Sequence, residues 1–316
     1  MRSRKSIKTL LRENYIALVI IAAIIFFSLL SEYFFNLNNF LNILNQISIY
    51  GIVAITMTIA IICGEIDLSV SSTFPLSAII FILSIEKFGV FVAILFALAY
   101  GLAIGSLNGF LVSKIKINSF IVTLGTMMIS MGIALTITKG VTIQTLNESV
   151  GRFGSLKFGN LEIYFIIFAV LAIVGQIVLS RTVFGRNLYA VGGGYEVAKL
   201  AGIKVNYYKF IVFVLLGLST SLSGILLATR LAAASPEYGK DLALYTISVV
   251  VIGGASLSGG SGSIVKTLLG LVFMGILFNG VNLVNLESYI QQALKGAIVV
   301  AVVLFDHYAP RARSYD

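Results

Sequence analysis

The chain has 316 residues, of which 58% are hydrophobic and 11% charged, with a mean hydropathy of +1.01 and a formal net charge of +9. A soluble domain carries about a quarter charged residues and less than half apolar ones, so an ordinary soluble protein is excluded. Apolar windows of about 18 or more residues recur along the whole length. They are too long and too uniform for barrel strands, which alternate. Lipid leaves only helices or a closed barrel, so the expected class is an all-α polytopic membrane protein. One cysteine, Cys63, and one histidine, His307, exclude an internal disulfide and a cysteine- or histidine-rich metal site. The positive charge is read as basic loops at a membrane, not as nucleic-acid binding.

The chain begins with the basic "MRSRKSIKTLLRENY" ahead of an apolar run that leads into "SEYFFNLNNF". No small-residue cleavage site follows, so 14–35 is read as a retained first helix. The second span is expected at 46–62. Next comes "CGEIDLSVSS" at 63–72, which sets Glu65 and Asp67 among apolar residues. Ionisable groups at membrane depth are costly and usually face an interior or water. Asp67 is suited to capping a helix that starts near Leu68, helped by Ser69, Ser71 and Ser72. The functional reading of Asp67 and Ser69 is a polar element at a break in a translocation pathway. The two readings are compatible.

A short apolar segment at 70–84 and a longer one at 89–111 follow. The second holds Gly101, Gly105 and Gly109, a doubled G-x-x-x-G pattern read as a helix-packing face. Its Asn108 has two readings, as a pore-lining residue or as a hydrogen-bonding bridge between helices. Further spans are expected at 119–138, 161–180, 210–230, 242–254, 264–282 and 289–306, about ten in all. Those at 70–84 and 242–254 are short enough to be half-helices or re-entrant pieces. Asn279 and Asn282 sit in the ninth span and carry the same two readings as Asn108. No stretch is long enough for a separate soluble domain, so 1–316 reads as one transmembrane domain.

The basic residues set the orientation. Ten spans put the N-terminal tail, Lys114 with Lys116, the stretch 181–209, and Arg311 with Arg313 on one side. That side is taken as cytoplasmic, both termini included. The segments 36–45, 139–160 and 231–241 then face outward. Two internal echoes suggest duplicated halves with broken helices at matching places. "IICGEIDLSVSS" resembles "VVIGGASLSGGSGS" at 250–263, with Ser256 opposite Asp67. "LNGFLV" before "NSFIV" (107–122) resembles "FNGVNL" before "ESYIQ" (278–291).

The stretch 181–209, "RTVFGRNLYAVGGGYEVAKLAGIKVNYYK", is the most informative polar segment. Gly192, Gly193 and Gly194 interrupt the chain. "YEVAKLAG" then has a helical pattern, with Val197 and Leu200 on one side and Glu196 and Lys199 on another. Gly202 fits a C-terminal cap. A short helix of this kind between two spans suits a lever for an external partner, or else an ordinary loop whose lysines set topology.

Several of these segments, "GEIDLSV", "FGRNLYAVGGGYEVAKLAGI", "VVVIGGASLSGGSGSIVKTLLG" and "LFNGVNL", together with the final "IVVAVVLFD", resemble the ribose/xylose/galactose-type permeases of bacterial ABC importers, in order, from about Asn39 to Asp306. The resemblance implies a permease without catalytic residues in a bacterial plasma membrane. It also implies a second permease chain, identical or not, a separate ATP-binding subunit and an extracytoplasmic substrate-binding protein. Its coupling helix falls on 193–203, which carries ATPase contact to Gly194, Glu196, Ala198, Leu200 and Gly202. No cofactor is expected in this chain, with ATP and magnesium on the partner. In agreement, there is no G-x-x-x-x-G-K-[ST] loop, since "GGSGSIVK" (259–266) has the wrong spacing.

The chain also departs from the family. The acidic pair common ahead of the second glycine motif is replaced by Ala243 and Tyr245, and the usual glycines of the first motif by Glu65 and Ser71. These changes fit a divergent member, either one half of a heterodimer or a carrier of another furanose-like solute, the autoinducer-2 branch included. The alternative class is an ion-coupled secondary transporter with Asp67 or Glu65 at the ion site.

Overall fold

A computed structural model describes residues 15–284 together with 287, 289–291, 293, 294, 296, 297 and 300. Its helices are α1 (Tyr15–Leu30), α2 (Leu37–Ile62), α3 (Val70–Ser113), α4 (Ser119–Thr138), α5 (Glu148–Gly154), α6 (Ile163–Arg181), α7 (Val183–Gly193), α8 (Tyr195–Leu200), α9 (Val205–Leu231), α10 (Leu242–Ile252) and α11 (Ile264–Leu283). Four two-residue strands accompany them: β1 (Ile143–Gln144), β2 (Lys157–Phe158), β3 (Leu161–Glu162) and β4 (Ala233–Ala234). Among the described residues, α2, α3, α4, α6, α9 and α11 are long and apolar enough to cross a membrane, and α1 and α10 are shorter apolar helices. The chain is an all-α polytopic membrane protein. The expected span 289–306 and the C-terminal Arg311 and Arg313 lie largely or wholly outside the described residues, as does the basic N-terminal tail.

The helix α3 runs for 44 residues, about 66 Å at 1.5 Å per residue. That is about twice the 30 Å hydrocarbon core. Gly89, with φ 76° and ψ 170°, breaks it into two membrane-length halves. The first half therefore reaches past the expected 70–84 and is no half-helix. In contrast α10 stays short, with 11 residues covering about 16 Å.

The helix α2 begins at Leu37 rather than at 46. Asn36 caps it, its Oδ1 accepting from the Asn38 N–H at 2.9 Å. The asparagines of "LNNFLNILNQ" lower the local hydropathy and hide this start, but the two buried ones, Asn39 and Asn45, have partners. Asn39 and Asn279 exchange amide hydrogen bonds of 2.9 Å in both directions. Asn45 Oδ1 accepts from the Glu162 N–H at 3.1 Å.

The core surrounds α2, whose apolar window is 83% buried against 28% for α4 and 22% for α6. Its aliphatic residues, including Ile52, Val53, Met57 and Ile61, pack with residues of α6, α9, α10 and α11. The second half of α3 lies directly on α9. A Cβ on Gly101 would strike the Gly217 carbonyl, one on Gly105 the Phe213 carbonyl, and one on Gly109 would stand 2.9 Å from the Phe210 carbonyl. The doubled G-x-x-x-G pattern is thus a backbone-to-backbone seam between these helices.

The loops gather at two ends of the bundle. At one end β1 pairs antiparallel with β4, Ile143 opposite Ala234 and Gln144 opposite Ala233. The Thr145 N–H extends the ladder to the Ala232 carbonyl at 3.0 Å. Thr145 Oγ1 also donates to Glu86 Oε1 at 2.7 Å, just before the Gly89 break. A β2–β3 hairpin turns at Gly159 and Asn160. Arg230 pairs with Glu162 at 3.1 Å. The other end carries the loops around 63–69, 114–118, 182–204 and 253–263.

Candidate functional site

At this second end two helices stop in the same way. The Gly64 N–H donates to the Ile61 carbonyl at 3.0 Å and the Glu65 N–H to Ala60 at 2.9 Å. At the end of α10 the Gly254 N–H donates to Val251 at 2.7 Å and the Ala255 N–H to Val250 at 3.2 Å. These nested bonds define a Schellman cap, which needs a left-handed residue just past the helix. Gly64 and Gly254 supply it, at φ 82° and 85°.

The turns that follow also correspond. Asp67 Oδ1 accepts from the Ser69 N–H at 2.8 Å, and Ser256 Oγ accepts from the Ser258 N–H at 3.2 Å. Each is a short side chain bonding the backbone two residues on. Asp67 and Ser256 are thus counterparts. Three residues separate Gly64 from Leu68 and two separate Gly254 from Leu257, so the first break is longer by one. The cap geometry puts Glu65 opposite Ala255.

The two breaks touch. The Gly260 N–H donates to the Ile62 carbonyl, left free at the end of α2, at 2.9 Å. Gly192, near the end of α7, fits between them. A Cβ there would collide with the Ile62 carbonyl and stand 2.6 Å from the Gly260 nitrogen. A Cβ on Gly259 would lie 2.7 Å from the Gly192 carbonyl and 3.0 Å from Gly64 Cα. Only glycines permit three backbones to meet this closely.

The helix α8 follows this junction directly. Gly194 precedes it, and Gly202 closes it with a third Schellman cap at φ 79°. The Gly202 N–H bonds the Lys199 carbonyl and the Ile203 N–H the Ala198 carbonyl, each at 3.0 Å. Ala198 points inward and is 2% exposed. Val197 and Leu200, one turn apart, are 73% and 87% exposed. Glu196 and Lys199 are exposed beside them. A short helix anchored by one alanine thus presents an uncovered apolar pair ringed by charge.

Lys209, early in α9, forms an ion pair with Glu65. Glu65 is 4% exposed. The Lys209 ammonium also lies 5.8 Å from the centre of the Tyr195 ring, on the first residue of α8, within cation–π range. The pair lines a cavity of about 330 Å³, bordered by Ser113, Lys116, Asn118 and Asn206 as well. Glu65 is the acid that departs from the first glycine motif. Its partner lies 144 positions away, and no local pattern reveals it.

The residues expected along a pathway separate into three groups. Asp67, Ser69 and Asn108 form one network. Asn108 Nδ2 donates to Ser69 Oγ at 2.9 Å, and Ser69 Oγ donates to Asp67 Oδ1 at 2.5 Å. The Leu68 N–H joins it to Thr123 Oγ1 of α4 at 3.1 Å. All three side chains are closed off from solvent in this structure. Asn108 Oδ1 has no hydrogen-bond partner among the described residues. Asn279 instead belongs to the amide pair with Asn39. Asn282, in the last turn of α11, is exposed.

Comparison with known proteins fits this architecture. Residues 39–303 match the family model described as the branched-chain amino acid transport system/permease component. The chain is similar to the ribose import permease protein of Escherichia coli (strain K12), at 38% identity over 302 residues, covering 94% of this chain and 93% of that one. It is 37% identical to the ribose import permease protein of Bacillus subtilis (strain 168), over 90% of this chain and 89% of that one. It is 34% identical to the L-arabinose transport system permease protein of Escherichia coli (strain K12), over 84% and 82%. No solved structure matches the chain at a significant level. With most of its length matched, and with paired breaks framing a short exposed helix at one end, the chain belongs to this family of transport permeases.

Proposed function

We propose that the chain is the membrane-spanning subunit of an ABC importer for a pentose-like sugar. The reading rests on the near full-length similarity to permeases named for ribose and arabinose. The α8 end faces the cytoplasm, and the β1–β4 end faces outward toward a substrate-binding protein. A separate ATPase, which carries ATP and magnesium, docks on α8 through Val197 and Leu200, with Glu196 beside them. Gly194, Ala198 and Gly202 hold the helix in place. A second permease chain completes the pore.

Transport follows alternating access. Nucleotide binds one arrangement of the ATPase pair better than the other, and that differential affinity shifts the permease between conformations. Asp67, Ser69 and Asn108 border the inner end of the pathway at the first break. Asn282 borders its outer end. Asn279, through Asn39, holds helices together.

The test is uptake of labelled ribose and arabinose into proteoliposomes, with and without the ATPase and the binding protein. Uptake of either sugar is expected only when both partners and ATP are present. Robust uptake by the permease alone, driven by an ion gradient, overturns the reading.

A further inference from the structure

We infer that Glu65 and Lys209 form the tie that passes displacement of α8 to the first helix break. The inference rests on the reading of α8 as the ATPase contact. Three observations support it. First, α8 is joined to the end of α2 on both of its flanks. On the upstream side Gly192 abuts the Ile62 carbonyl, backbone against backbone. On the downstream side Lys209 pairs with Glu65, three residues beyond Ile62. Second, Lys209 also meets the Tyr195 ring at 5.8 Å. A single ammonium group therefore contacts the first residue of α8 and the break that follows α2 together. Third, the pair occurs at only one of the two equivalent breaks, because Ala255 stands where the other break would need an acid.

The upstream contact can push but not pull, since it is a close approach of backbones with no bond between Gly192 and Ile62. The ion pair supplies the pulling element. Glu65 is nearly buried and Lys209 partly so, with side-chain exposures of 5% and 22%, so water screens their attraction far less than at an open surface. Both residues act on transport through the break, as positioning residues.

The experiment uses the whole importer, with its ATPase and binding protein, in proteoliposomes. The readout is solute taken up per ATP hydrolysed. The key variant replaces both partners, Glu65→Gln with Lys209→Met, and so strands no buried charge. Its ATPase association is expected to match the parent, while uptake per ATP falls about fivefold or more, the size of a modest coupling free energy. The exchanged pair, Glu65→Lys with Lys209→Glu, is expected to recover to within about twofold, as a direct pairwise interaction should. Parental uptake per ATP in the neutral pair overturns the inference. Loss of ATPase association in that variant also overturns it, by placing the pair in docking rather than transmission. Failure of the docking reading is seen separately, as undiminished ATPase association in Leu200→Asp.

Discussion

Gly105→Leu is expected to leave little folded permease in the membrane. Gly105 lies mid-seam, where a Cβ would collide with the Phe213 carbonyl and stand 3.1 Å from Val214 Cα. These are backbone atoms, so no rotamer change relieves the clash. The second half of α3 and α9 must move apart, which opens the neighbouring contacts of Gly101 with Gly217 and Ser221. Overpacking costs about 1–3 kcal/mol where side chains can adjust, and this site belongs above that range. The check is detergent-extractable, monodisperse protein by size-exclusion chromatography. Gly125→Leu and Gly132→Leu are the controls. A Cβ at either α4 position meets nothing within 4 Å, and leaving glycine gains about 0.5–1 kcal/mol of helix propensity. Equal loss in all three variants would refute packing as the cause.

Leu200→Asp should fold normally and fail to hold its ATPase. The side chain is 87% exposed, so folding has little stake in it. Docking has much, because the apolar pair Val197 and Leu200 is what α8 offers a partner. Disrupting an interface hot spot costs about 2 kcal/mol or more, or about 30-fold in affinity. An aspartate beside Glu196 adds an unpaired acid at the same spot. Affinity purification of the permease measures the outcome directly, as the ratio of ATPase to permease recovered. Retention of the parental ratio would exclude α8 as the contact. Ala198→Leu gives a contrasting failure, because Ala198 is buried beneath the helix and its enlargement should displace α8 without changing the exposed face.

Much of this fold was legible because a membrane helix announces itself by uniform apolar length. The expected span at 119–138 coincides with α4, and Gly202 closes α8 as its position suggested. Legibility failed where polar residues are satisfied by distant partners. The two buried asparagines near the start of α2, Asn39 and Asn45, are answered by Asn279 and by the Glu162 backbone, across separations that no window of sequence spans. The candidate site was partly readable for a related reason. Local rules revealed both glycine breaks and the helix beside them. Their mutual contact, through Gly192 and Gly260, depends on tertiary packing. So does the meaning of Glu65, whose charge has no sense until Lys209 is placed beside it. The echo of the two breaks was visible, but the Leu-Ser match concealed the one-residue difference, since only the hydrogen bonds of the caps identify which glycines correspond.

The ladder between β1 and β4 decides where the polar stretch between α4 and α6 will accept foreign sequence. Residues 139–160 read as one free loop, yet Ile143, Gln144 and Thr145 are bonded to the exit of α9 and to Glu86. A peptide tag spliced at Gln144 would break those bonds. The same tag between Gly159 and Asn160 would only lengthen an exposed hairpin tip, the kind of position that tolerates insertion. A surface label on this face of the molecule therefore has a defined address, at Gly159.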